Sequence, residues 1–155
     1  MTLDAALAAL AAAIAHRLVT AGYIATTEAL AVDDADAVAP TGEETDFVTW
    51  AALTRGETRT VRTLLGRPGS RFVVEHRATL QLAWAGPDRP AGRLLHSQTL
   101  QAIATLPVEF PTLSGAVERF FLEEGSDEPL PPNGWGTTLV CAIRIRSSDP
   151  LGLTA

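Results

Sequence analysis

Large apolar residues recur at Leu3, Leu7, Leu10, Ile14 and Leu18. Spacings of four, three, four and four place all five on one stripe of an α-helix. Thr2 can cap the start, Asp4 suits the positive end of the helix dipole, and Gly22 suits the exit. The remainder is mostly alanine, which would let another backbone approach closely. From Phe72 to Trp84 the period changes to two. Phe72, Val74, His76, Ala78, Leu80, Leu82 and Trp84 alternate with Val73, Glu75, Arg77, Thr79, Gln81 and Ala83. This predicts a half-buried antiparallel strand with His76 on its apolar face. Thr137 to Ser147 reads the same way: Leu139, Cys141, Ile143 and Ile145 point to one side, Val140, Ala142, Arg144 and Arg146 to the other.

The connecting segments are less regular. Phe47 to Leu53, with Trp50, and Thr58 to Leu65, with Arg59 and Arg62 interleaved, read as extended chain. Gly66, Pro68 and Gly69 then turn it. After the Gly86-Pro87-Asp88-Arg89-Pro90 break, a second helix is expected from about Ala91 to Leu106. Its stripe is Leu95, Thr99, Ala102 and Leu106, and Pro107 ends it. Gly115 to Glu123 is a further strand. Residues 32–46 form an acidic, mobile loop, and 123–136 a second loop. The expected fold is α+β: one antiparallel sheet with two helices packed on one face, in the order α-β(β)-β-α-β-β, as a single domain over 1–155.

Composition narrows the chemistry. The chain has 155 residues and 46% hydrophobic content, enough to bury a core. All 12 cationic residues are Arg, so a lysine Schiff base or a phosphate-loop lysine is excluded. The single Cys141 excludes an internal disulfide or a cysteine zinc cluster. A net charge of −6 argues against a general nucleic-acid binder. The apolar run Ala5 to Ala15 is too short to span a membrane. Cytoplasmic synthesis with a reduced thiol is expected.

No catalytic grouping stands out. His16, His76 and His96 are far apart in sequence, and Glu123-Glu124 reads as a solvated strand end. Asp33, Asp34 and Asp36 lack the glycine and terminal glutamate of a calcium loop. Gly66-Arg67-Pro68-Gly69-Ser70 lacks the spacing of a phosphate loop. The expectation is a protein that is not an enzyme and that carries no cofactor and no metal.

Charge is segregated along the chain. Residues 1–50 hold eight acids against one Arg, 51–100 hold eight Arg against three acids, and 101–155 hold seven acids against three Arg. Opposite-signed stretches can complement one another within a chain or between copies. The candidate interface residues are therefore Arg55, Arg59, Arg62, Arg67 and Arg71 on the basic side. On the acidic side they are Asp33, Asp34, Asp36, Glu123, Glu124, Asp127 and Glu128, with Trp135 beside them.

The succession from Arg71 to Arg146 resembles the tail terminator (tail completion) proteins of long-tailed phages and gene transfer agents. It comprises the alternating strand, the helix Arg93 to Leu106, the Leu113-Ser114-Gly115 entry, the acidic loop, the Asn133-Gly134 turn and the final strand. The resemblance covers about 71–148, and the leading helix is similar too. It implies a hexameric ring at the head-proximal end of the tail, assembled in the host cytoplasm. Such a ring caps the tail tube protein and presents a surface to the head connector or stopper. It needs no membrane and no specific nucleic acid. Arg-rich stretches of one copy would then face acidic stretches of the next, through bidentate carboxylate pairs. Two other readings are open: a different neck or tail protein with the same core, or a small ligand-binding or hydrolytic α+β dimer.

Overall fold

The computed structural model describes residues 2–64 and 71–154. Helix α1, Leu3–Thr20, forms as its apolar stripe dictates: Leu3, Leu7, Leu10, Ile14 and Leu18 are all buried. The Thr2 side chain accepts the Ala5 N–H at 3.2 Å. At the far end Gly22 takes φ +78°, a conformation that glycine adopts at little cost. The Tyr23 and Gly22 amides donate to the Leu18 and Val19 carbonyls at 2.9 and 3.0 Å, closing the last turn. By length and composition alone this helix could cross a membrane, contrary to the expectation that the run is too short. Its large side chains are packed on the sheet instead.

A 3-10 turn at Thr27–Ala29 leads into β1, Leu30–Val32, followed by β2, Val48–Thr63, and β3, Phe72–Ala85. Helix α2 is Arg89–Glu109, β4 is Arg119–Leu130 and β5 is Gly134–Ser147. The fold is α+β. The strands form one sheet in the order β1-β2-β3-β5-β4. It is mixed rather than antiparallel throughout, because β1 lies parallel to β2, with Leu30 opposite Ala51 and Val32 opposite Leu53. The parallel arrangement follows from the 15-residue excursion between β1 and β2, which carries the chain back to start β2 at the same end.

The even-numbered face of β3 is the core face, as the alternation predicts. Val74, Ala78, Leu80 and Leu82 meet α1, α2 and the inward residues of β5 in a single hydrophobic cluster. Trp84 lies on this face beneath α2, where Gly92 provides the clearance. A Cβ at residue 92 would come within 2.5 Å of the Trp84 ring.

Several expectations are corrected. The extended region is one continuous strand, β2, with register shifts between Arg55 and Thr58 and between Thr60 and Arg62. Pro107 lies inside α2 rather than ending it. A proline in the last turn forfeits only its own bond, and the Phe110 amide still reaches the Leu106 carbonyl at 2.8 Å. The buried stripe of α2 is Gly92, His96, Thr99, Ile103 and Leu106, not the one through Leu95 and Ala102, because the clearance at Gly92 fixes the helix's rotation over Trp84. The strand expected over Gly115 to Glu123 begins at Arg119 and runs on to Leu130. Most of the expected loop 123–136 therefore belongs to β4 and β5. The acidic segment after Val32 contains no helix or strand until Val48. Within it, buried Gly42 packs on Leu130, and its carbonyl accepts the Asn133 amide at 3.2 Å.

Candidate functional site

Both helices cover one face of the sheet, so its other face carries the odd-numbered residues of β3 outward. Register builds a charged row there. Arg59 on β2 lies opposite Glu75 on β3, Glu75 opposite Arg144 on β5, and Arg144 opposite Arg119 on β4. Glu75 is buried under its neighbours, its side chain 1% exposed. It accepts from Arg59 Nε and Nη2 at 3.1 and 2.9 Å and from Arg144 Nε at 3.0 Å. Arg77 Nε stands 3.6 Å away. Burial alone would raise the Glu75 carboxyl's pKa, but the guanidiniums of Arg144 and Arg59 outweigh it and hold the group below its ordinary value.

Further charges extend the row. Arg77 binds Glu123 at 3.0 Å, and Arg146 binds Glu118 at 3.2 Å. Arg119 and Arg144 both lie over the Phe121 ring, at 5.0 and 5.3 Å. A cleft of about 410 Å³ opens among Val61, Arg62, Val73, Glu118, Arg119 and Arg144. On a chain of net charge −6, this face gathers Arg59, Arg62, Arg77, Arg119, Arg144 and Arg146 around Glu75, Glu118 and Glu123.

The candidate residues read from the sequence fall into distinct places. Arg55 is held within the chain, bonded to Asp4 at 2.7 Å and to Asp33 at 3.1 Å. Arg59 serves Glu75. Arg62 approaches Glu118, at 3.9 Å. Arg71 is exposed at the base of the β2–β3 hairpin, where its carbonyl accepts the Leu64 amide. Arg67, and with it the turn Gly66 to Ser70, lies outside the described residues. Asp33 also accepts the Arg55 amide at 2.7 Å, and Asp34 accepts the Asp36 amide at 2.9 Å. Glu123 and Glu124 sit at a register shift of β4 between Leu122 and Gly125. Glu124 and Glu128 are exposed. Asp127 and Trp135 are on the opposite, helix-covered face.

That face holds an arrangement that sequence reasoning missed. The Thr137 hydroxyl donates to Asp127 Oδ1 at 2.7 Å. With its one proton committed, it accepts from His96 Nε2, also at 2.7 Å. His96 Nδ1 is then the acceptor for the Tyr23 hydroxyl at 3.1 Å. The result is a directed chain from Tyr23 through His96 and Thr137 to Asp127. Burial lowers the His96 pKa, against the opposing pull of Asp127, and raises that of Tyr23. Beside it is a cleft of about 320 Å³ walled by Trp84, Arg93, His96, Asp127 and Trp135. The Trp84 indole N–H is buried without an acceptor. The available signal was that His96 stands three residues before Thr99 and four after Gly92, on the buried stripe.

His76, expected on the apolar face, is buried there and joins β2 to β3. Its Nε2 accepts the Gly56 amide at 3.3 Å, so its Nδ1–H donates to the Thr58 hydroxyl at 2.6 Å. Burial first, and then the charge of Arg55, lowers its pKa. Among the described residues no group of three or more His, Cys, Asp or Glu side chains is placed to hold a metal ion.

Compared with models of known protein families the chain has no match, and compared with curated protein sequences it has none either.

Proposed function

We propose that the chain is a structural protein that assembles into a ring, of the tail terminator kind its sequence pattern resembles. In this reading it caps a tail tube at the head-proximal end and joins the tube to a head connector. The observation that carries the proposal is the open sheet face. Helices shield one side of the sheet, while the other presents a stiff, cross-strand array of arginines pinned by buried Glu75. Arginines held this way lose little further side-chain freedom on contact, and Arg119 and Arg62 retain donors for a partner's carboxylates. Such a surface suits docking rather than turnover.

Native mass spectrometry of the purified full chain tests the reading. A species near six times 16.4 kDa is expected. A stable dimer as the only assembled form would count against it. A second reading, a small ligand-binding domain, is favoured by the cleft at Trp84 with its unpartnered indole N–H. A dimer whose tryptophan emission shifts on adding small aromatic acids would favour that reading.

A further inference from the structure

We infer that neighbouring copies of this chain join edge to edge, the outer edge of β2 in one copy lying along the outer edge of β4 in the next. The inference rests on the ring reading above and names its interface. Strand β1 covers β2 only over Ala51–Leu53. From Thr54 to Thr63 the one strand partner of β2 among the described residues is β3, and all but half-buried Thr58 are exposed. At the far end of the sheet, Gly125–Leu130 of β4 pairs, among the described residues, only with β5 and is exposed up to half-buried Leu130. The Arg55 and Gly56 amides are taken by Asp33 and His76, which leaves Glu57–Thr63 of β2 and Gly125–Leu130 of β4 as unpaired edges at opposite ends of one sheet.

Their charges are opposite. The β2 edge carries Arg59 and Arg62 against Glu57, Arg55 being held by Asp4 and Asp33. The β4 edge carries Glu123, Glu124, Asp127 and Glu128 against Arg119. Pairing β2 with β2, or β4 with β4, would set like charges together, so the pattern opposes two-fold dimers and favours head-to-tail contact. In the chain's other acidic segment Asp33 already neutralises Arg55, and Asp34 closes its own turn. The register shifts in both strands and Pro129 on β4 keep either edge from being long and flat. They limit pairing to a short, twisted stretch, which is compatible with closure into a ring rather than growth of a fibre.

The test uses two charge-reversed variants of the full chain at exposed sites, of which only Arg62 has an ion-pair partner among the described residues, Glu118 at 3.9 Å. One is Arg62→Glu with Thr63→Glu, the other Glu124→Arg with Glu128→Arg. Each is checked for folding by its thermal melt, then examined by native mass spectrometry alone and as an equal mixture. Each variant alone should assemble at least about tenfold more weakly than the parent, since reversal turns attraction into repulsion at the screened surface. The mixture should recover rings, because the acidic β2 edge of one variant meets the basic β4 edge of the other. Variants that assemble like the parent would overturn the edge assignment and leave the ring reading standing, as would a mixture that stays dissociated. A parent chain that never forms a ring would overturn both. Should either variant fail to fold, the neutral pair Arg62→Gln and Glu128→Gln serves. Each is expected to weaken assembly several-fold, and no weakening overturns the assignment.

Discussion

Replacing Glu75 by Gln removes the one negative charge at the centre of the arginine row while keeping its shape. The Glu75 side chain is 1% exposed and receives three hydrogen bonds of 2.9 to 3.1 Å from Arg59 and Arg144. Bonds to charged groups contribute about 1.5–3 kcal/mol each, but the three arginines are one third to one half exposed and regain water when the carboxylate is lost. The expected loss for Glu75→Gln is therefore about 1–3 kcal/mol at pH 7. The converse variant, Arg59→Gln with Arg144→Gln, strands a buried carboxylate with only Arg77 nearby. Its expected loss is larger, about 3–5 kcal/mol. Adding Glu75→Gln to that variant should restore part of the loss. Because the folded pKa of Glu75 is lowered, its contribution is fully present above about pH 4.5 and is lost as pH falls through the folded value. Urea unfolding followed by tryptophan fluorescence, at pH 7 and at pH 3, measures all four proteins. A Glu75→Gln variant as stable as the parent at pH 7, or an arginine pair that costs less than the glutamate alone, would contradict this role of Glu75.

Three further outcomes are expected. Gly92→Ala should destabilise by about 1–3 kcal/mol in thermal melts, despite alanine's better helix propensity, since its Cβ would meet the buried Trp84 ring at 2.5 Å; a raised melting temperature contradicts this. His76 and His96 are buried neutral with lowered pKa values, so stability should be full above about pH 6.5 and fall as the pH drops below it. A flat stability profile from pH 8 to pH 5 contradicts that. Burial pushes the Cys141 thiol up to about 12, so native protein should react with thiol reagents only at the rate of opening, and prompt labelling contradicts it.

The parts of the fold legible in the sequence were those with a clear period. The alternation in β3 and β5 and the leucine stripe of α1 each mark the core face correctly, although Val73, Glu75 and Ala83 on the other side of β3 are buried as well. Strand β4 is exposed on both sides after Leu122, so Glu123 to Pro129 carry no alternation and composition reads them as loop. Strand β1 has three residues, too few to show a period, and its parallel pairing depends on where the chain returns. The place of α2 is legible, but its buried stripe is not, because a glycine and a histidine belong to it. Glu75 and Arg77 were visible as the polar side of a strand. That Glu75 is buried depends on Arg59 and Arg144 standing opposite it, a matter of register between segments 16 and 69 residues away. The same holds for the chain from Tyr23 to Asp127, which gathers residues from four separate segments.

The most direct measurement of the central claim is the length distribution of tail tubes, imaged by electron microscopy, in particles assembled with and without this chain. With it, tubes should end at one length and carry the chain at the head-proximal tip. Without it, they should vary in length and fail to join heads. Tubes of unchanged length that still join heads in its absence would contradict the account.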